Sequence, residues 1–412
     1  MKSRLFRQCY LAGILSVCSS LAFAGERTAE AMAVVPTEGN SFTDSVTLSG
    51  YFFGKENLVD SAYDRTQQWK KDNHLPITFG ANHWFHVDRD EKIYGDGYGV
   101  PGSRGTYYYY LGFDPTVKLP EGGFVTDLGL HVQGRIRDDE SKLRGFYEET
   151  YWLYEGSAFA KTTLGTFSVG KILQHFGYTW NNSWWEGVPY FDGYRFNPAW
   201  GVSWDHTWNF SEDLAVGTSA QYFLTDDRVS GAIAGADAES SLAGERNTFI
   251  LRATPVWKLD DDLKITFGAS FLTREIEDPD RFGPGLLDER QTAWSTDLAI
   301  DYKKLTLFAQ YTDSRGTISP ARHVSGGPSD RQNSFEVGLN YKLGPIAPHV
   351  NFSKGWDHNP DGEQYIFNPG ITFQISKSLT LYTEYVKWDV TNSAGATAKF
   401  DDGFEIILVW NF

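Results

Sequence analysis

Cysteine is nearly absent from this chain. Its 412 residues include two, Cys9 and Cys18, and both fall within the first two dozen positions. The remainder therefore has no disulfide, thiolate metal centre or cysteine nucleophile available. Long apolar runs are missing too, since no stretch beyond the leader reaches the roughly 20 residues of a transmembrane helix. Positive charge is in deficit, with 37 Lys+Arg against 53 Asp+Glu and a net charge of −16. Such a chain lacks the basic face that nucleic acid requires. Gly-x-Ser-x-Gly and His-Glu-x-x-His are both absent, which removes two common hydrolase signatures.

What is present begins with a leader. Lys2, Arg4 and Arg7 precede an apolar, small-residue run from Leu11 to Leu21, and Ala22-Phe23-Ala24 follows. This order predicts a signal peptide over residues 1–24, cleaved after Ala24. Leu15-Ser16-Val17-Cys18 resembles a lipoprotein cleavage box only loosely, because Val17 is bulky for it. The leader takes three of the 37 basic residues and none of the 53 acidic ones, so the mature charge falls from −16 to −19. A cysteine-free exported chain suits an oxidising periplasm.

Aromatic residues are plentiful at 16%, with 14 Trp, 22 Tyr and 29 Phe. Their arrangement discriminates between a soluble core and a lipid-facing wall. From about residue 105 the chain alternates apolar and polar residues in segments long enough for a tilted strand to cross a bilayer. Leu128, Leu130 and Val132 alternate with Asp127, His131 and Gln133, and Leu263, Ile265 and Phe267 with Lys264, Thr266 and Gly268. Short turns near 118–122, 162–165, 209–213, 258–262, 302–304, 342–345 and 376–378 take turns with long polar connections, including 356–364 and 389–402. That asymmetry predicts an all-β transmembrane antiparallel barrel spanning 45–412 in an outer membrane, with short periplasmic turns and long extracellular loops.

Counting by turns, with a first strand near 46–55 and a last one ending at Phe412, predicts sixteen strands. The segment 25–44 is a short periplasmic lead-in, and the first long loop runs from about 56 to 104. Eighteen strands is the alternative, if 77–87 and 92–100 both cross. Sixteen strands enclose an interior too wide for side chains to fill, so it holds water, and passage of solutes is the expected function.

Parity then assigns charges to the interior: Asp127, Arg135, Glu155, Lys161, Arg195, Asp205, Arg252, Lys264, Asp297, Glu336, Glu384 and Glu405. Near balance between the signs implies weak ion preference, mildly for cations; the alternative is that these groups hydrate the wall or pair with one another. The connection 174–193 is unusually aromatic for a surface loop. Its Trp180, Trp184, Trp185 and Tyr190, with Glu186 and Asp192, are candidates for an inward-folded constriction whose rings could stack on sugars or apolar solutes. Rim capping or a subunit contact is the competing reading.

Other constellations carry less. Ser203, Asp205 and His206 adjoin, but neighbouring strand residues point to opposite faces, so no triad forms locally. His83 and His86, with Asp88 and Asp90, could bind a metal, although loop residues of this kind are commonly just solvated. No cofactor is implied, and Asp260-Asp261-Asp262 reads as a solvated turn.

With its leader, alternating strands, terminal Phe412 and candidate third loop at 174–193, the chain resembles the general outer-membrane porins of Gram-negative bacteria. The resemblance implies a third loop narrowing the pore, with Glu186 and Asp192 on the acidic side and Arg135, Arg195 and Arg252 on the basic side. The Pro-Glu-Phe-Gly stretch of classical members is not present; Glu186-Gly187-Val188-Pro189 is a loose stand-in. It further implies a homotrimer, contact with lipid and lipopolysaccharide, and a closing signal at Trp410 and Phe412 read by the barrel-insertion machinery. The solutes implied are small and hydrophilic; substrate-preferring transport of sugars or aromatic compounds, or a blocked structural or adhesive barrel, are the alternatives.

Overall fold

The computed structural model describes residues 47–49, 58–73, 75–88, 106–120, 122–139, 150–177, 198–225, 245–276, 290–316, 331–358, 361–391, 395 and 397–411. Among the described residues the helix α1 (Leu58–Asp72) precedes the strands β1 (Ile77–Asp88), β2 (Thr106–Phe113), β3 (Thr116–Lys118), β4 (Val125–Asp139), β5 (Thr150–Thr162) and β6 (Gly165–Ile172). Then follow β7 (Ala199–Asn209), β8 (Leu214–Thr225), β9 (Glu245–Lys258), β10 (Leu263–Ile276), β11 (Arg290–Tyr302) and β12 (Leu305–Arg315). The last are β13 (Arg331–Tyr341), β14 (Ile346–His358), β15 (Asp361–Ser376), β16 (Leu379–Thr391) and β17 (Thr397–Asn411).

Each strand pairs antiparallel with its neighbour in sequence, and β1 closes the ring on β17 from Gly80–Asn411 to Asp88–Gly403. β2 and β3 both pair with β4, so they form one crossing interrupted at Asp114-Pro115. Proline has no N–H for the ladder, which explains the break there. The result is a closed barrel of sixteen crossings. Strands about 4.8 Å apart, tilted 35–45°, give a circumference of about 100 Å and a backbone diameter of about 30 Å. Side chains cannot fill that width.

Residue distribution is inverted relative to a water-soluble protein. Outward positions keep large apolar groups exposed, among them Leu128, Leu130, Val169, Val202, Leu251, Phe267, Leu298, Phe335, Leu339 and Ile406. Inward positions bury polar ones, including Ser157, Gln221, Ser270, Ser295, Gln310, Asn351 and Asn368. Only lipid makes that arrangement favourable. The apolar face is bounded by rings. Trp294, Tyr311 and Trp356 follow one another at 5.3 Å and 6.4 Å near one end, and the exposed Trp208, Trp257, Tyr302 and Tyr341 mark the other. Trp294 to Tyr302 is eight residues, about 26 Å along the strand and about 20 Å in height after tilt, close to the apolar band of about 25 Å.

Several sequence expectations change. The crossing expected at 46–55 is not the first strand: Leu48 and Ser49 are helical, and the wall starts at Ile77. The segment expected to be a long loop, 56–104, contains both α1 and β1. Residues 77–88 form a wall strand because β2 and β17 supply partners on both edges; of 46–55, only 47–49 are among the described residues. The count of sixteen survives with a different first member. The expected long connection at 356–364 is mostly strand, because β14 runs to His358 and β15 resumes at Asp361. All seven short turns stand where expected.

α1 forms where period-two alternation fails. Asp60 lies in its first turn and Lys70 and Lys71 in its last, matching the helix dipole. Gln68 Nε2 donates to Asp72 at 2.7 Å, Asn73 Nδ2 caps the Trp69 carbonyl at 2.8 Å, and Pro76 ends the segment. The helix is fastened to the short-turn rim, which is the periplasmic one. Asp60, 2% exposed, accepts from Thr47 Oγ1 at 2.7 Å, Ser49 Oγ at 2.9 Å and the Lys377 N–H at 2.7 Å. Lys377 Nζ reaches Asp64 at 2.6 Å.

Two outcomes are expected. Leu298→Arg, midway between the rings, should cost about 2–4 kcal/mol of folding free energy in vesicles by denaturant titration; no loss would show that Leu298 does not face lipid. Asp60→Ala removes the acceptor shared by Thr47, Ser49 and the Lys377 N–H and should weaken the helix attachment by about 1–3 kcal/mol. Faster tryptic cleavage after Lys70 or Lys71, with the barrel intact, is the readout.

Candidate functional site

The interior is organised around a strap of chain that leaves the wall after β6. Leu173, Gln174 and Phe176 are buried. Gln221 of β8 clamps the strap from both sides of its amide, donating from Nε2 to the Leu173 carbonyl at 3.0 Å and accepting the His175 N–H at 2.7 Å. Phe176 packs with Ile172, Ala199, Phe223, Ile250, Leu272 and Ala293, the inward residues of β6 to β11. Burying a phenylalanine in this way contributes about 1.5–3 kcal/mol. The Gly177 N–H donates to Ser270 Oγ of β10 at 3.1 Å. A Cβ at Gly177 would lie 2.7 Å from Gln310 Oε1 of β12, and φ there is +75°, so glycine is required twice over. The strap thus runs inside the barrel, across the faces of β8, β10 and β12.

Beneath it lies an ion pair. Arg252 of β9 grips Asp297 of β11 bidentately, at 2.7 Å and 2.9 Å, and its Nη1 also donates to Ser270 Oγ at 2.8 Å. The two side chains are 1% and 0% exposed. Arg252 reaches across β10 because Gly268 stands there, opposite Asp297. A Cβ at Gly268 would fall 2.1 Å from the Asp297 carboxylate and 2.5 Å from Arg252 Nη2.

The remaining expected interior charges fall into two groups. Near the short-turn end they are open to water: Asp127 faces Lys161 in the register, and Lys264 pairs with Asp301 at 2.8 Å. Deeper in the barrel they are engaged. Arg135 stacks 3.1 Å over the Tyr154 ring and donates to Gln133. Glu155 lies 3.4 Å from His131 Nε2, and the other ring nitrogen of His131 contacts Asp114. Asp205 accepts from Ser203 at 3.1 Å and lies 3.4 Å from His175 Nδ1. Glu384 meets His349 Nε2 at 2.6 Å and Asn368 at 3.2 Å. Glu336 is fully buried between the register positions of Gln310 and Ser353. In β17, Glu405 takes the position across from Glu384. Trp180, Trp184, Trp185, Glu186, Tyr190, Asp192, Arg195 and Phe412 lie outside the described residues. Trp410 stands on the outward face of β17 at 6.0 Å from His83.

Sequence reasoning missed His131, His175 and His349, each set against a carboxylate. His131 was already at an inward alternating position, which is the signal that could have found it. His175 gave no such signal, since it lies beyond a strand end. Its contacts with Asp205 and with Ser219 Oγ, 3.3 Å away, both use Nδ1, whereas a nucleophile relay needs both ring nitrogens. His206 faces outward between Trp204 and Trp208, at 6.1 Å and 4.3 Å. His83 lies on β1, 6.0 Å from the Trp410 ring; the side chain of His86 and residue Asp90 lie outside the described ones.

Comparison with known proteins agrees with this geometry. The family described as Gram-negative porin matches residues 14–393. No curated protein sequence matches. Among solved structures, Salmonella typhi OmpF in complex with daunomycin has a TM-score of 0.57 at 15% identity, covering 82% of this chain and 97% of that one. The trimer form of OmpT, an outer membrane protein of Vibrio cholerae, has a TM-score of 0.53 at 11% identity, covering 82% and 99%.

Gly268→Ala should push Asp297 and Arg252 apart. A loss of about 1–3 kcal/mol, typical of an overpacked interior, is expected as a lowered unfolding midpoint of the lipid-embedded barrel. An unchanged midpoint would contradict the close approach at Gly268.

Proposed function

The chain belongs to the Gram-negative porin family, a diffusion channel of the outer membrane, and from that premise we propose that small hydrophilic solutes and ions cross it through a constriction formed by the loop after β6. The inward course of residues 173–177 supports this reading, because Phe176 and Gly177 are bound to the inner faces of the wall strands. Trp180, Trp184, Trp185, Glu186, Tyr190 and Asp192 are then the residues presented to the solute. Arg135 and Arg195 remain the basic candidates opposite them, while Arg252 is withdrawn from that set by Asp297. Exposed Asp127, Lys161, Lys264 and Asp301 tune ion preference weakly at the periplasmic mouth. No catalytic role is assigned.

A leader cleaved after Ala24, and Trp410 with Phe412 as the insertion signal, belong to the same proposal. So does a homotrimer, supported by the trimeric Vibrio cholerae neighbour. On the outward face, Arg290, Arg315 and Arg331 stand just beyond the Trp294–Tyr311–Trp356 ring, where lipopolysaccharide phosphates would meet them. The aromatic content of 178–191 favours a second reading, a preference for sugars or aromatic compounds.

Planar-bilayer recording should give large, stable, ohmic steps, and absence of conductance would sink the porin reading. Solute-dependent blocking that disappears in Trp184→Ala/Trp185→Ala would establish the substrate preference, and persistent blocking would refute it. Oligomeric state follows from gel migration with and without boiling, where a monomer band in mild detergent contradicts the trimer.

A further inference from the structure

The strand that opens the barrel is held on both edges over a short stretch. Among the described residues, the register of β1 with β17 begins at Gly80 and its register with β2 ends at Trp84, so only Gly80–Trp84 is paired on both sides. β16, by contrast, is flanked by ladders from Leu379 to Thr391. Strand ends open first, and within a bilayer each backbone group so exposed costs several kcal/mol. α1 joins two points on either side of this seam. Its first turn is anchored at the β15–β16 turn, where Asp60 accepts the Lys377 N–H and two hydroxyls, and Asp64 meets Lys377 Nζ. Its last turn runs into β1 without slack. The Leu75 N–H donates to the Lys70 carbonyl at 3.0 Å, and the Pro76 carbonyl accepts the Asp114 N–H at 2.7 Å. Between these two points on the ring stand the periplasmic ends of β16 and β17. Length fixes the path. The helix rises about 18 Å from Asp60 to Asp72, the rim from the β15–β16 turn to β1 measures about 15 Å, and the mouth is about 30 Å across. α1 therefore follows the rim over the foot of the seam and does not cross the opening.

We propose that α1 is a clasp on the barrel seam, holding the foot of β1 against β17 and opposing lateral opening of the wall there. Because helix and strand are joined without slack, β1 cannot peel from β17 unless α1 moves with it. α1 cannot move while Asp60 keeps its three donors, and hydrogen bonds to an ionised carboxylate are the stronger kind. The free energy of the anchor is thus added to that of the β1–β17 ladder at its periplasmic end. This role does not depend on what crosses the lumen, and it holds for a conducting and a blocked barrel alike.

Two variants separate the anchor from the span. Asp60→Ala cuts the anchor. Gln68→Pro, at an exposed position, breaks the span, because proline removes a helical N–H and clashes with the preceding turn. Neither residue lies in the wall. As a control, Asp262→Ala removes the Lys303–Asp262 contact between two other periplasmic turns. The readout is amide hydrogen exchange of the whole protein in lipid vesicles. Both variants are expected to speed exchange in the β1–β17 ladder about tenfold, the effect of losing a hydrogen bond to a charged group. The gain should be largest from Gly80 to Trp84, with the β8–β9 ladder exchanging as in the parent and the control leaving both ladders unchanged. Unaltered β1–β17 exchange in both variants would overturn the clasp. Equal acceleration of β8–β9 would overturn it too, as a general loss of stability. Larger conductance steps with unaltered seam exchange would instead make α1 a cover for the mouth and end the proposal. If Asp60→Ala does not insert, Gln68→Pro decides alone.

Discussion

The closing ladder between β1 and β17 is the contact on which everything else depends. Inside a bilayer no water is present to satisfy an open strand edge, and each unmet backbone group costs several kcal/mol. The chain must therefore return its last strand to its first, and the register from Gly80–Asn411 to Asp88–Gly403 does so. Once the ring is closed with sixteen crossings, strand spacing and tilt fix a diameter too large for side chains to fill. A water-filled interior is a consequence of closure, and conduction is a consequence of the interior. The same requirement decides what may precede the wall. Both edges of β1 are taken, so the upstream chain has no edge to join and forms α1 on the periplasmic rim, fastened through Asp60 to the β15–β16 turn.

This explains which parts of the fold were legible in the sequence. Period-two alternation reports only that one face is apolar, and that was enough to assign Leu128, Leu130 or Phe267 to lipid and Glu155 or Glu336 to the interior. Turn residues located the seven short connections. Alternation does not report partners, however. Residues 46–55 and 77–87 alternate about equally well, and it is the pairing of 77–88 with β2 and β17 that identifies it as wall. The break at Asp114-Pro115 and the length of β14 and β15 are likewise matters of pairing.

The candidate site shows the same division at side-chain level. Parity placed Arg252, Asp297, Glu155, Asp205 and Glu384 on the inner wall but could not show that each already has a partner. The Arg252–Asp297 grip needs three strands in register and an absent side chain at Gly268, information that resides in the ladders β9–β10 and β10–β11. His175 meets Asp205 through a loop that leaves the wall, which no local pattern encodes.

Burial therefore divides the interior charges by role. Coulomb energies fall steeply as water enters, and an opposite charge in contact cancels most of what remains at a distance. Lys161 and the Lys264–Asp301 pair lie open to water at the periplasmic mouth. Glu384, covered by His349 and Asn368, and Asp297, covered by Arg252, are felt mainly by the wall. A count of inward charges thus overstates the field in the lumen, and the near balance of signs becomes less informative than the location of the exposed few. The deep charges serve to hold shape: in a barrel whose interior is polar, an inward loop cannot rely on an apolar core, so it is fixed by one aromatic socket and a small set of oriented hydrogen bonds.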